Sequence, residues 1–240
     1  MTAMRVAAAQ AEARPGALAP NVASAARLVR RAEARVVVLP EAFLTGYDAR
    51  VFAGALPTPE DLAGPLLDPL RAAAAACGTT VVASAAVRRP HGRTLSSVVV
   101  APSGEVDVPY DKQHLDGDEP DWFVPGVPGP VLLDVDGHPL ALSVCRDGSV
   151  PTHAAEAAAA GAVGYLCSAA YFPGGERRMD VTYAARALDH RFPVVVAGLT
   201  GPGFIGGSAV YGPDATPLAR LGEEEGVAVT DVDWALPAAE

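Results

Sequence analysis

Cysteine is scarce in this chain and unpatterned: Cys77, Cys145 and Cys167 are the full set of three. An odd number without CxxC spacing argues against both a disulfide framework and a zinc cluster, and predicts reduced thiols. The five histidines are scattered with neither HExxH nor HxH spacing, so no metal centre is expected. Long apolar runs are missing as well; none approaches the roughly 18 residues that would cross a bilayer. The start, Met1-Thr2-Ala3-Met4-Arg5, runs directly into the strand-like Val6-Ala7-Ala8-Ala9 instead of a signal segment. Positive charge is in deficit, and a net charge of -10 disfavours sequence-independent attachment to nucleic acid or to an anionic membrane. These absences lead to the expectation of a soluble, cytoplasmic protein whose partner is a small molecule and which needs no cofactor.

What is present is apolar. Half of the 240 residues are hydrophobic, enough to bury a substantial core, and one domain over 1–240 is more natural than two small ones. Segments at 5–9, 35–39, 79–87, 95–101, 106–110, 131–135, 140–144, 163–168, 194–199, 208–211, 218–221 and 227–232, many of them rich in valine, predict strands buried between layers. Helices are predicted over 21–34, 62–77, 152–160 and 176–191, with Gly78 and Gly161 standing where helix C-termini favour glycine. Asp136-Gly137 between apolar runs predicts a tight hairpin. Helices alternate with strands in the first half and hairpins follow, which gives a mixed sheet. So many strands with so few helices are best satisfied by an α/β arrangement of two stacked sheets, helices covering the outer faces. The longest irregular segment, 113–130, is rich in Gly, Pro and Asp, and loops of that length inside compact domains are usually functional.

Three different functional groups leave three different strand ends. Cys145 closes Leu140-Ala141-Leu142-Ser143-Val144, Glu41 follows Val36-Val37-Val38-Leu39-Pro40, and Lys112 follows Val106-Asp107-Val108-Pro109-Tyr110-Asp111. Reactive groups in open α/β sheets gather outside the carboxyl ends of strands, so the three suggest one shared site. A thiol with an ordinary pKa of about 8.5 is mostly protonated near neutrality and needs a base or a cation beside it. Glu41 could be the base and Lys112 the cation, and the lysine is also suited to stabilising the oxyanion formed when sulfur adds to a carbonyl or nitrile carbon. The backbone N–H of Arg146 is a second oxyanion donor, because the turn after a nucleophile commonly presents that group to the acyl oxygen.

The segments Leu39-Pro40-Glu41-Ala42-Phe43-Leu44-Thr45-Gly46-Tyr47, Tyr110-Asp111-Lys112-Gln113-His114-Leu115 and Val144-Cys145-Arg146-Asp147 resemble, in order and context, the Glu, Lys and Cys motifs of the nitrilase or carbon–nitrogen hydrolase superfamily. The resemblance extends through Gly117-Asp118-Glu119, where that family often carries a second glutamate, to Ala185-Arg186-Ala187-Leu188-Asp189-His190 and Phe204-Ile205-Gly206-Gly207-Ser208. It implies a four-layer α-β-β-α sandwich of two mixed sheets that dimerises by packing helices. It also implies an active site of Glu41, Lys112, Cys145 and Glu119, and hydrolysis of a non-peptide C–N bond in a small linear amide or carbamoyl compound, with a thioester on sulfur. Nitrile hydrolysis by the same nucleophile, or an inactive binding protein on the same fold, are the alternatives. Many members of the family carry an aromatic residue directly after the cysteine and Phe-Pro-Glu a few positions later; here those places read Arg146 and Val150-Pro151-Thr152. Arg146 could pair with a substrate carboxylate, turn outward, or bridge to Asp147 or Glu156.

Plainer readings apply elsewhere. Cys77 and Cys167 lack partners and read as core packing. His114 and His153 could each be imagined as a base for Cys145, although His153 lies eight positions further along and is expected to point elsewhere. Gly201-Pro202-Gly203-Phe204-Ile205-Gly206 spells GxGxxG, but strand and turn residues follow where a phosphate-binding helix would have to begin. Asp116, Asp118 and Glu119 lack the glycine and closing glutamate of a calcium loop.

Overall fold

The computed structural model describes residues 3–234. Strand β1 (Met4–Gln10) leads through helix α1 (Leu18–Ala32) to β2 (Val36–Val38), and α2 (Ala49–Ala53), α3 (Pro59–Ala63) and α4 (Asp68–Cys77) carry the chain on to β3 (Thr80–Arg89). β4 (Gly92–Val100) and β5 (Val106–Asp111) return as a meander, and β6 (Leu132–Val135) and β7 (His138–Val144) open the second half. Helices α5 (Arg146–Ser149) and α6 (Pro151–Ala159), strand β8 (Gly164–Ala169), helix α7 (Glu176–His190) and strand β9 (Val194–Gly198) follow. The chain then forms a small hairpin of β10 (Thr200–Gly201) and β11 (Phe204–Ile205), and ends with β12 (Ala209–Tyr211), β13 (Pro217–Arg220) and β14 (Gly226–Val232).

Two six-stranded sheets result, ordered β14-β1-β2-β3-β4-β5 and β13-β12-β9-β8-β7-β6. Alternation along the valine-rich strands explains why both faces of the first sheet are apolar. Val36 and Val38 join Val6 and Ala8 in the core between the sheets. Val37 points the other way, with Ala7 and Ala9, onto Val22, Leu28 and Val29 of α1 and Leu70 and Ala73 of α4. Ala154 and Ala157 of α6 and Met179, Tyr183 and Ala187 of α7 cover the second sheet. The order of layers is therefore helix, sheet, sheet, helix.

Each strand segment expected from the sequence is a strand, with ends displaced by a few residues. Asp136 (φ 54°) and Gly137 (φ 81°) make the tight turn between β6 and β7, a geometry with positive φ at both central positions that Asp-Gly tolerates. The helix expected over 62–77 is a correction: it is broken into α3, one 3-10 turn over Pro65–Leu67, and α4. Gly64 leaves the helical region at φ -80° and ψ -165°, and Pro65 then supplies no N–H to continue the ladder. Cys77 is corrected too, being half-buried at the end of α4, whereas Cys167 is fully buried. The GxGxxG segment forms the β10–β11 hairpin, with no helix after it. Among the described residues no helix is long and apolar enough to cross a membrane.

Candidate active site

Strand direction gathers the candidate side chains. β2 and β3 run parallel, and β5 is antiparallel to β4, which is antiparallel to β3; β2 and β5 therefore point the same way. Glu41 and Lys112 leave the same end of the first sheet, and Cys145 leaves the carboxyl end of β7 in the sheet stacked on it. The Glu41 N–H donates across the sandwich to the carbonyl of Ala169, at the end of β8 (3.3 Å).

Lys112 is fully buried, and its Nζ donates to Glu41 Oε1 at 2.8 Å and to Glu119 Oε1 at 2.7 Å. Glu119 is itself held by the Tyr47 hydroxyl (2.8 Å, on Oε1) and the Asp116 N–H (2.8 Å, on Oε2). An ammonium has three donors, so one remains after both carboxylates are satisfied. Burial would depress the lysine pKa, but the carboxylates of Glu41 and Glu119 more than offset it, and the ammonium is held above its ordinary value. Burial pushes Glu41 up to about 7, against the Lys112 ammonium. Its Oε2 has no conventional hydrogen-bond partner, and the Cys145 thiol interacts with this carboxyl. Burial and the Glu41 charge push the thiol well above its ordinary value against the pull of Lys112, so the resting sulfur carries its proton.

Cys145 sits on a sharp turn with φ 44° and ψ -96°, a backbone strain that a non-glycine residue adopts only when its surroundings impose it. Its N–H is fixed by Ser168 O (2.8 Å) and its carbonyl by the Tyr183 hydroxyl (3.2 Å). The thiol lies 3.5 Å from Ala170 O. Arg146 is the first residue of α5, where N–H groups have no intrahelical acceptor. Its guanidinium turns outward to Asp116 at 3.9 Å, forming no pair with Asp147 or Glu156 among the described residues.

A cavity of about 380 Å³ opens over the sulfur, lined by Cys145, Glu119, Ala170, the aromatic rings of Tyr47, Phe52, Trp122 and Phe172, and, among charged groups, Asp116, Asp118 and Arg178. The sequence reading did not single out the aromatic walls or Arg178. Tyr47 and Trp122 lie in the quoted glutamate motif and the irregular loop, so loop position was the available signal. Phe172 and Arg178 carried none. His114 and His153 make no hydrogen bond to the thiol: His114 Nδ1 meets Asp147 (2.9 Å), and His153 is buried between the hydroxyls of Tyr110 (2.9 Å) and Tyr165 (2.8 Å).

A family model described as carbon-nitrogen hydrolase matches residues 5–238. The chain is 31% identical over 238 residues to a Pseudomonas protegens protein named "Hydrolase in pqqF 5'region", covering 96% of this chain and 83% of that one. It is 32% identical over 226 residues to a nitrilase of Pyrococcus abyssi, covering 89% and 83%. Among solved structures, an amidase from Nesterenkonia sp. superposes with a TM-score of 0.87 at 31% identity, covering 96% of this chain and 90% of that one. That amidase has also been solved after Michael addition of acrylamide at its active-site cysteine and, with the cysteine replaced by alanine, in complex with butyramide.

Proposed function

The chain belongs to the carbon–nitrogen hydrolase family and is a hydrolase of non-peptide C–N bonds; from that premise we propose that Cys145 is its nucleophile, Glu41 its general base and Lys112 its oxyanion stabiliser. The observation that carries this reading is one fully buried ammonium bound to two carboxylates, one of which, Glu119, lines the cavity together with Cys145. A buried lysine ion with two carboxylates is costly to desolvate, and a role at a reacting centre accounts for its presence.

Glu41 takes the thiol proton as sulfur bonds to the amide carbon, and the carbonyl π electrons move onto oxygen. The Lys112 ammonium and the Arg146 N–H stabilise that oxyanion. Glu41 returns the proton to nitrogen, the C–N bond breaks, and ammonia or amine leaves a thioester on Cys145. Water then gives a proton to Glu41 and its oxygen to the acyl carbon, releasing the acid and restoring the thiol. Glu119, anchored by Tyr47 and Asp116 N–H, holds Lys112 in line.

The aromatic walls and small volume favour a short, linear, uncharged acyl chain, in keeping with the butyramide bound by the Nesterenkonia amidase. We read the chain as one domain, both sheets contributing to a single site, and as a homodimer. Val181 (48% exposed) and Leu188 (56%) form an apolar stripe one heptad apart on α7, which supports packing of a second copy there. Three unpaired thiols support a reducing, cytoplasmic setting. The test is ammonia release from a panel of short amides, carbamoyl amino acids and nitriles. Cys145→Ala should abolish turnover with an unchanged circular dichroism spectrum, and undiminished hydrolysis by that variant would refute the assignment.

A further inference from the structure

Asp147 takes no part in the chemistry just described, yet its carboxylate is fully buried and five donors converge on it. Oδ2 accepts from the Tyr110 hydroxyl (2.6 Å) and Val144 N–H (3.0 Å). Oδ1 accepts from the backbone N–H groups of Gln113 (3.2 Å) and His114 (2.9 Å) and from His114 Nδ1 (2.9 Å). Tyr110 and Gln113-His114 flank Lys112 on its two sides, and Val144 precedes Cys145. Among the described residues, every hydrogen bond joining segment 110–114 to segment 144–147 ends on this one side chain. β5 and β7 belong to different sheets, so no ladder fixes the lysine's strand end against the cysteine's.

We propose that Asp147 is the positioning residue that sets the distance between the Lys112 ammonium and the Cys145 sulfur, by tying both strand ends to one buried carboxylate. The inference rests on the assignment of Cys145 and Lys112 given above. A carboxylate is required there because an acceptor-only group can take donors on both oxygens, whereas an amide would turn an NH2 against two of them. Burial would raise the carboxyl's pKa, but the bonds from His114 and Tyr110, the neighbouring His153 and the Val144 N–H hold it below its ordinary range. Tyr110 is fixed in turn, its hydroxyl lying 2.9 Å from His153 Nε2, while the Tyr165 hydroxyl lies 2.8 Å from His153 Nδ1.

The test compares four variants of the full chain on butyramide, with kcat expressed per Cys145 that iodoacetamide alkylates, as read by peptide mass spectrometry, and, for Cys145→Ala, per folded chain. In Asp147→Asn, kcat per site should fall about 100-fold while KM changes less than about threefold, since a misplacement of about 1 Å costs that much at a reacting centre. Tyr110→Phe, which removes one donor and keeps the ring, should lose about tenfold in kcat with KM again unmoved. Tyr165→Phe removes a hydroxyl from the same hydrogen-bonded core without touching Asp147, and its kcat should stay within about twofold of the parent for a comparable fall in Tm. Either Asp147→Asn retaining kcat per site within about threefold, or Tyr165→Phe losing as much as Tyr110→Phe at equal Tm, overturns the proposal. Should Asp147→Asn not accumulate as folded protein, Tyr110→Phe against Tyr165→Phe decides. Cys145→Ala run alongside separates the two readings: its inactivity with an unimpaired Asp147→Asn sinks only the positioning role, while its activity sinks both.

Discussion

Glu41 holds a buried carboxyl beside a buried thiol, and its affinity for a proton governs how the proposed reaction answers to pH. A base must be ionised to act, and burial pushes this one up to about 7, so kcat/KM should climb through a limb near pH 7 that Glu41→Gln abolishes together with turnover. Stability should respond in the opposite sense. A folded pKa raised from 4.5 to about 7 means that the folded state holds its proton more tightly than the unfolded chain does. The contribution is therefore fully present below about pH 4.5 and is lost as pH rises through about 7. Denaturant midpoints should fall more steeply over that window in the parent than in Glu41→Gln, and equal slopes would contradict the assignment. Lys112→Met leaves Glu41 and Glu119 facing each other without a cation, and a loss of about 3–5 kcal/mol is expected from urea unfolding, beyond the loss of activity. Glu41, Lys112 and Cys145 were legible in the sequence as candidates because each stands where a predicted strand ends. Asp147 was not, because its significance lies in donors supplied by residues more than thirty positions away.

The turn from β7 into α5 shows how one short element holds the thiol in place. A Cβ on Gly148 would come within 2.6 Å of Tyr183 Cε1, and Tyr183 is the residue whose hydroxyl fixes the Cys145 carbonyl. Gly148→Ala should therefore displace either the ring or the turn, costing about 1–3 kcal/mol by thermal unfolding and lowering kcat more than KM. Strands were easier to read from the sequence than helices. Valine-rich runs announce a layer buried on both faces, whereas alanine, tolerated on either face of a helix, blurs the period; the break at Gly64-Pro65 passed unnoticed inside one apparent helical run. Helix α5 was unreadable for a different reason: four residues, Arg-Asp-Gly-Ser, follow no pattern longer than a single turn.

At the scale of the molecule, the fold places one half of the proposed site on each sheet, Glu41 and Lys112 on the first and Cys145 on the second, so the proposed chemistry depends on how the two sheets are stacked as well as on either alone. Composition and strand count indicated two stacked sheets, but their order, with the last strand beside the first, follows only from long-range pairing that no local pattern encodes. If α7 is where two copies meet, a charge in its apolar stripe should disrupt them: Leu188→Glu is expected to move the light-scattering mass from that of a pair toward that of a single chain, with no change if another face is used.

One flank of β1 is covered by β2, but the other is closed only by β14, Gly226–Val232, so it waits for residues far along the chain to be synthesised. During translation that flank of the first layer is bare, a row of unmatched amides able to recruit foreign strands. Nascent chains stalled before Gly226 should accordingly be sticky and protease-sensitive, and the addition of β14 should seal the edge.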